Sequence, residues 1–188
     1  MHRRLVMLLV GLSIIVGAGF GVATASSPGR PLDEREIAGL ARKMPLKTTF
    51  VGRAVAELDG RKWVLGRSLN AAGERCLELR SPSGWRSGTC LSESQEFAQG
   101  PILAYTGGAG EVSFLHGMVS SGIERVEIVN ADCSRQALDL SSDGFFVDVV
   151  SGSVPAPWQI RGLDSDGEIV SVKTLRGRGA ESPISGSC

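Results

Sequence analysis

Beyond Pro45, short runs rich in Val, Ile, Trp and Phe appear every 8 to 14 residues, punctuated by Gly, Ser, Asn and Asp. Alternation of period two puts one set of side chains on each face of a strand. The runs predict strands at Thr48–Leu58, Lys62–Leu69, Arg75–Arg80, Trp85–Leu91, Glu111–Val119, Ile123–Asn130, Gln136–Leu140, Phe145–Val150, Pro157–Leu163 and Glu168–Leu175. The alternation is cleanest at Phe145, Val147 and Val149 against Asp148, and at Val170 and Val172 against Ser171 and Lys173. Asp59-Gly60, Asp143-Gly144 and Asp166-Gly167 each place a residue that tolerates positive φ where a hairpin needs one. About ten short strands at this spacing predict an all-β fold, a mostly antiparallel Ig-like sandwich. Residues 92–110, with Gly100-Pro101 and Thr106-Gly107-Gly108-Ala109-Gly110, carry the weakest strand signal. They are read either as a join between two subdomains or as a long loop.

Ahead of the strands the period changes. Ile37, Leu40, Ala41 and Met44 follow i, i+3, i+4, i+7 spacing, with Asp33, Glu34 and Glu36 in the first turn and Arg42 and Lys43 in the last. This predicts one helix from Leu32 to Met44, opened by an Asp33–Glu36 capping box and stopped by Pro45. The small polar stretch Ser26–Arg30 reads as a linker. The expected layout is a targeting segment at 1–25, linker and helix at 26–45, a β-sandwich at 46–176 with a subdivision near 92–110 as the alternative, and a flexible tail at 177–188.

The targeting segment is a basic start, Met1-His2-Arg3-Arg4, then an apolar run from Leu5 to Val22, then Ala23-Thr24-Ala25. That is the form of a secretory signal peptide with an A-x-A cleavage site. The alternative is an uncleaved anchor, the only route by which the sequence predicts membrane attachment. Both put the remaining residues outside the cytoplasmic membrane, secreted or on its outer face. Removing 25 residues leaves 163, with 18 Lys+Arg against 20 Asp+Glu. That balance, with no basic block, argues against a nucleic-acid partner.

Export changes the reading of the four cysteines, because thiols outside the cytoplasm normally oxidise. Cys76 and Cys90 flank a hairpin turning near Ser83. With a five-residue loop Arg80 faces Arg86, and Cys76 falls opposite Cys90 at a spacing a disulfide can bridge. A four-residue loop would slip the pair by one position. Cys133–Cys188 then follows by elimination, with a free Cys188 as the alternative. No C-x-x-C and no zinc-type Cys/His spacing occurs, so neither metal nor cofactor is expected.

Chemistry-bearing residues are sparse. His116 is the one histidine after residue 25, and it shares a predicted strand face with Val112, Phe114 and Met118, which suits a partly buried histidine better than a catalytic one. No G-x-S-x-G nucleophile turn is present. Glu74, Glu78, Glu93, Glu96, Glu111, Glu124, Glu127 and Glu168 are scattered at strand edges and turns, where solvated surface is the default. Asp164-Ser165-Asp166-Gly167-Glu168 reads as a tight hairpin turn and lacks the ligand count of a calcium loop. Trp63, Trp85 and Trp158, with Tyr105, are the ligand-binding candidates, since aromatic faces stack on sugars, against the commoner fate of core packing.

From Gly117 to Val172 the order is Val-x-x-Gly-Ile-x-Arg-Val-Glu-Ile at 119–128, a turn, Asp143-Gly144-Phe145-Phe146-Val147-Asp148-Val149-Val150, Val154-Pro155, and Ile160-Arg161-Gly162-Leu163-Asp164-Ser165-Asp166-Gly167. This segment resembles secreted or envelope β-sandwich proteins of actinobacterial type. The resemblance implies a fold and an extracytoplasmic location, and no activity. Cys133 departs from it by standing where the turn would usually hold Gly, which implies a paired cysteine. Together these readings give an exported, non-enzymatic envelope or extracellular interaction module with a protein partner. The alternatives are a carbohydrate or small-ligand binder, and a hydrolase with an unrecognised site. Mass spectrometry of the chain isolated from its native envelope is expected to find Ser26 as the first residue; a retained Met1 would establish the anchor instead.

Overall fold

The computed structural model of the chain describes residues 26–43, 50–130, 132–152 and 158–175. The expected targeting segment 1–25 and tail 177–188 lie outside them. The expected antiparallel β fold forms, and it is built as three stacked sheets. The strands are β1 Ser26–Pro28, β2 Arg30–Pro31, β3 Val51–Leu58, β4 Arg61–Leu69, β5 Arg75–Arg80, β6 Arg86–Leu91, β7 Ile102–Ala109, β8 Val112–Val119, β9 Arg125–Val129, β10 Arg135–Leu138, β11 Phe145–Ser151, β12 Trp158–Leu163 and β13 Ile169–Leu175. A front sheet runs β2-β3-β4-β5-β6, a middle sheet β1-β11-β8-β7 and a back sheet β10-β9-β12-β13.

The middle sheet is covered on both faces. Phe114, Met118, Phe145, Val147 and Val149 pack forward against Ala54, Leu65 and Leu79 of the front sheet. Their neighbours in sequence, Leu115, Val119 and Phe146, pack backward against Val126, Ile128 and Ile160 of the back sheet. This corrects the reading of β11 as half polar: Asp148 is 3% exposed and lies on the covered back side, where Gln136 Nε2 donates to its Oδ1 at 3.3 Å.

Five turns, four in hairpins and one between β10 and β11 of different sheets, share one geometry. In each, the N–H of the first residue donates to the carbonyl of the fifth, and the N–H of the fourth donates back to the carbonyl of the first, as at Ser141, Gly144 and Phe145. This is a type I turn closed by a left-handed residue. Gly73, Gly84, Gly144 and Gly167 hold the fourth position with φ between 77° and 85°, and Cys133 holds it in the turn between β9 and β10 with φ 63°. A different loop joins β3 to β4, where Asp59 and Gly60 both take positive φ, as a two-residue hairpin requires.

Two stretches differ from expectation. Ser26–Pro28, expected in a linker, pairs with β11 as β1, and Arg30–Pro31 pairs with β3 as β2. Neither segment has an apolar pattern; the unpaired edge of β11 recruits backbone, as in the bond from Gly29 N–H to Val147 O at 2.7 Å. Within 92–110, Glu93–Gln95 forms a 3-10 turn and Ile102–Ala109 forms β7 rather than a loop. One of the glycines that disguise β7 answers a packing need, because the Phe114 ring fills the space a Cβ at Gly107 would take. The helix α1, Glu34–Lys43, forms as expected, with the N–H of Glu36 bound to Asp33 Oδ1 at 2.7 Å and the N–H of Asp33 to Glu36 Oε2 at 3.3 Å. Leu32 leads into it by packing on Phe50, Val55 and Val64 outside the front sheet.

Two glycine substitutions should move stability in opposite directions. A Cβ at Gly117 would collide with the carbonyl of Leu103 and the ring of Phe146, so Gly117→Ala should destabilise by about 2–3 kcal/mol. Gly39 lies in α1 with open space around it, so Gly39→Ala should stabilise by up to about 1 kcal/mol. Urea unfolding midpoints at constant slope would measure both.

Candidate functional site

Strands β5 and β6 pair in the five-residue register, with Arg80 opposite Arg86 and Cys76 opposite Cys90. The two cysteines form a disulfide with Cα atoms 3.9 Å apart. The same outer face of the front sheet carries Glu78 and Arg80, two and four residues beyond Cys76. Arg80 Nε donates to Glu78 Oε1 at 2.9 Å, and Ser68 Oγ donates to Glu78 Oε2 at 2.9 Å. The Arg80 guanidinium lies 3.9 Å over the Phe50 ring. Burial pushes the Glu78 carboxyl up, yet the hydrogen bonds from Arg80 and Ser68 outweigh it and hold the group below its ordinary value. Glu78 is therefore not solvated surface: its side chain is 13% exposed and held ionised by its donors. Its place between Cys76 and Arg80 on one strand face is the signal that would have shown it. A carboxylate fixed in this way anchors Arg80 and has little capacity to move a proton.

His116 faces forward from β8, between the front and middle sheets, and is 1% exposed. Its ring lies 5.7 Å from Phe114 and 5.9 Å from Tyr105. The Nδ1 atom has no hydrogen-bond partner. Burial pushes the imidazole down to about 4, so it is neutral at physiological pH. An imidazole this enclosed meets no substrate in the folded protein.

The tryptophans separate by burial. Trp63 is 6% exposed; its ring meets Trp85 edge-on at 6.0 Å and Phe114 at 6.3 Å. Trp85 is half-buried and packs on Phe114 at 5.1 Å. The structure thus brings Trp63, Trp85, Phe114, His116 and Tyr105 into one aromatic row between two sheets. Trp158 opens β12 opposite Leu175, and its side chain lies outside the described part of the structure.

The carboxylates do not gather. Asp164 Oδ1 accepts the N–H groups of Asp166 and Glu168, which closes the hairpin turn between β12 and β13. Among the described residues no three His, Cys, Asp or Glu side chains stand close enough to hold a metal ion. An open depression at the β7–β8 turn, lined by Gly108, Gly110, Val112 and Ser151, contains one carboxylate, Glu111.

The largest departure from a sealed surface is on β13. Ile169, Val170 and Val172 are each about half exposed, at 50%, 51% and 50%. Expectation put the two valines on the covered face; the strand is the edge of the back sheet, and its covered face carries Lys173 instead. Lys173 lays its aliphatic stem inward and donates from Nζ to the carbonyl of Ile102 on β7 at 3.1 Å. Burial pushes its ammonium down. The valines consequently face solvent. Among the described residues no helix is long and apolar enough to cross a membrane, and the Cys76–Cys90 disulfide fits an oxidising compartment. Compared with protein-family models, curated proteins and solved structures, the chain matches none.

The buried histidine sets a pH dependence. The folded state holds His116 neutral to about pH 4 while the unfolded chain protonates it near 6.5, so unfolding takes up a proton between these values and stability falls as pH falls. Between pH 6.5 and 5, above the range of ordinary carboxylates, the expected loss is about 2 kcal/mol. His116→Leu should flatten that slope in urea unfolding at the two pH values; an unchanged slope would refute the assignment.

Proposed function

We propose that the chain is an exported, non-enzymatic interaction module of the cell envelope or the extracellular space, and that it meets its partner along β13. The observation that carries this reading is the half-exposed row Ile169, Val170 and Val172 on a strand hydrogen-bonded to β12 and at the edge of its sheet. Edge strands are normally guarded by charge, proline, a bulge or brevity, because a row of unpaired N–H and C=O groups invites another strand. Over seven residues β13 carries one charge, Lys173, which is turned inward, and its irregularity is confined to the start of the strand, where the register with β12 skips Val170 and leaves Ser171–Leu175 regularly paired. The partner that fits is an extended segment with apolar residues at alternate positions, bound by main-chain hydrogen bonds and by valine contacts on the outer face. The withdrawal of His116 and the engagement of Glu78 with Arg80 and Ser68 support a role without catalysis.

A tagged chain and its Val170→Lys and Val172→Lys forms, cross-linked mildly in the native envelope, test this reading. Both substitutions sit on exposed positions and should leave stability within about 0.5 kcal/mol of the parent. The parent should retain a reproducible protein that each variant recovers at least tenfold less. Equal recovery by parent and variants would remove β13 from the interface. Recovery of no protein by a correctly processed parent would count against an interaction module and favour the ligand-binding alternative.

A further inference from the structure

The turn between β9 and β10 departs from its four sisters at one position. Where they place Gly73, Gly84, Gly144 and Gly167, it places Cys133, at φ 63°. A Cβ in the left-handed region is unfavourable by roughly 1–2 kcal/mol, a strain that glycine avoids. A turn that accepts this strain has a use for the side chain. Cys133 is disulfide-bonded, and no free cysteine occurs among the described residues. Cys76 and Cys90 are bonded to each other. The sequence holds four cysteines, so one candidate partner within the chain is left.

We propose that Cys133 pairs with Cys188, which lies outside the described residues, and that this bond fastens the segment following β13 to the β9–β10 turn. The register of the back sheet supports the reach. Thr174 pairs with Gln159, Gln159 with Val129, and Val129 with Arg135, so Leu175 leaves the sheet at the end where the Cys133 turn stands. Two strand spacings separate β13 from β9, about 10 Å. The thirteen residues after Leu175 can span up to about 43 Å, ample to return to Cys133. The closed loop runs from residue 133 to residue 188 and contains β10, β12 and β13 of the back sheet with β11 of the middle sheet. It therefore constrains the unfolded chain across two layers, where Cys76–Cys90 closes a single hairpin. The bond forms by exchange with a low-molecular-weight disulfide. One cysteine thiolate attacks it and displaces the first reagent thiolate, and the second cysteine thiolate displaces the other, so that two electrons pass to the reagent and the two cysteine protons end on the two reagent thiols.

The test uses the full chain refolded in a buffer of reduced and oxidised glutathione, then digested with trypsin without reduction. The fragment 126–135 should be found joined to the fragment 179–188, and 76–80 to 87–125, with all four released by reduction. In denaturant the parent should show no titratable thiol and Cys188→Ser one. Both Cys188→Ser and the double variant Cys133→Ser/Cys188→Ser should melt about 5–15 °C below the parent while keeping the same β-sheet spectrum. Two titratable thiols in the refolded parent, or fragment 126–135 joined to anything other than 179–188, would overturn the pairing. A double variant melting within 2 °C of the parent would overturn its role in holding the sheets together. None of these readouts involves a binding partner, so the outcome is separate from that of the β13 interface.

Discussion

Burial of both faces of the middle sheet is the constraint on which the rest of the structure depends. An antiparallel sheet usually buries one face and wets the other, and its strands alternate accordingly. Here β11 and β8 are buried at most positions, and Phe145 and Phe146 are among the largest fully buried side chains although they point in opposite directions. A two-layer sandwich would leave one of those rings in water. Front and back sheets are therefore both required, and each covers the middle sheet with a single face, which lets its other face carry polar chemistry.

That division explains where the ionisable groups sit. Between front and middle sheets the imidazole of His116 is kept neutral by burial. Charge is instead placed on the outer face of the front sheet, where Glu78, Arg80 and Ser68 satisfy one another and Arg80 covers Phe50. Breaking one member of such a set would loosen the hold on the others in a partly dry site, so the group behaves as a unit of structure. Arg67 does similar work at a sandwich rim, reaching Glu96 at 2.8 Å while lying 5.4 Å from the Phe145 ring.

Much of this was legible in the sequence, and the parts that were not share a cause. The α1 capping box, the Asp59-Gly60 loop and the Cys76–Cys90 register follow from local chemistry, because each is decided by residues within a few positions of one another. β1 and β2 were missed because they are held by backbone bonds to β11 and β3, and Ser26–Pro28 has no side-chain pattern to announce that. β7 was missed because glycines break its pattern, and one of them, Gly107, makes room for the Phe114 ring on the neighbouring strand. Alternation located β13 correctly and misjudged which side faces in. Period two distinguishes two faces without saying which is covered, and on an edge strand Lys173 can take the inner side by carrying its charge to the Ile102 carbonyl.

The candidate site lies at the periphery because of how the interior is filled. A fold of three sheets has two interfaces to fill and uses its aromatic residues there: Trp63, Trp85, Phe114 and Tyr105 are spent on one of them. With His116 and these four rings committed to packing, the described surface keeps turns, dispersed charges and sheet edges. Of the edges, β2 is two residues long, β10 begins with an exposed arginine, and β6 alternates half-buried residues with exposed ones that include Arg86. β13 alone combines seven residues with three half-exposed aliphatic side chains. Each of those side chains leaves apolar area in water that a partner strand could remove, whereas the other edges offer mainly polar groups already well solvated. β13 therefore carries three of the five large apolar side chains that stand exposed among the described residues.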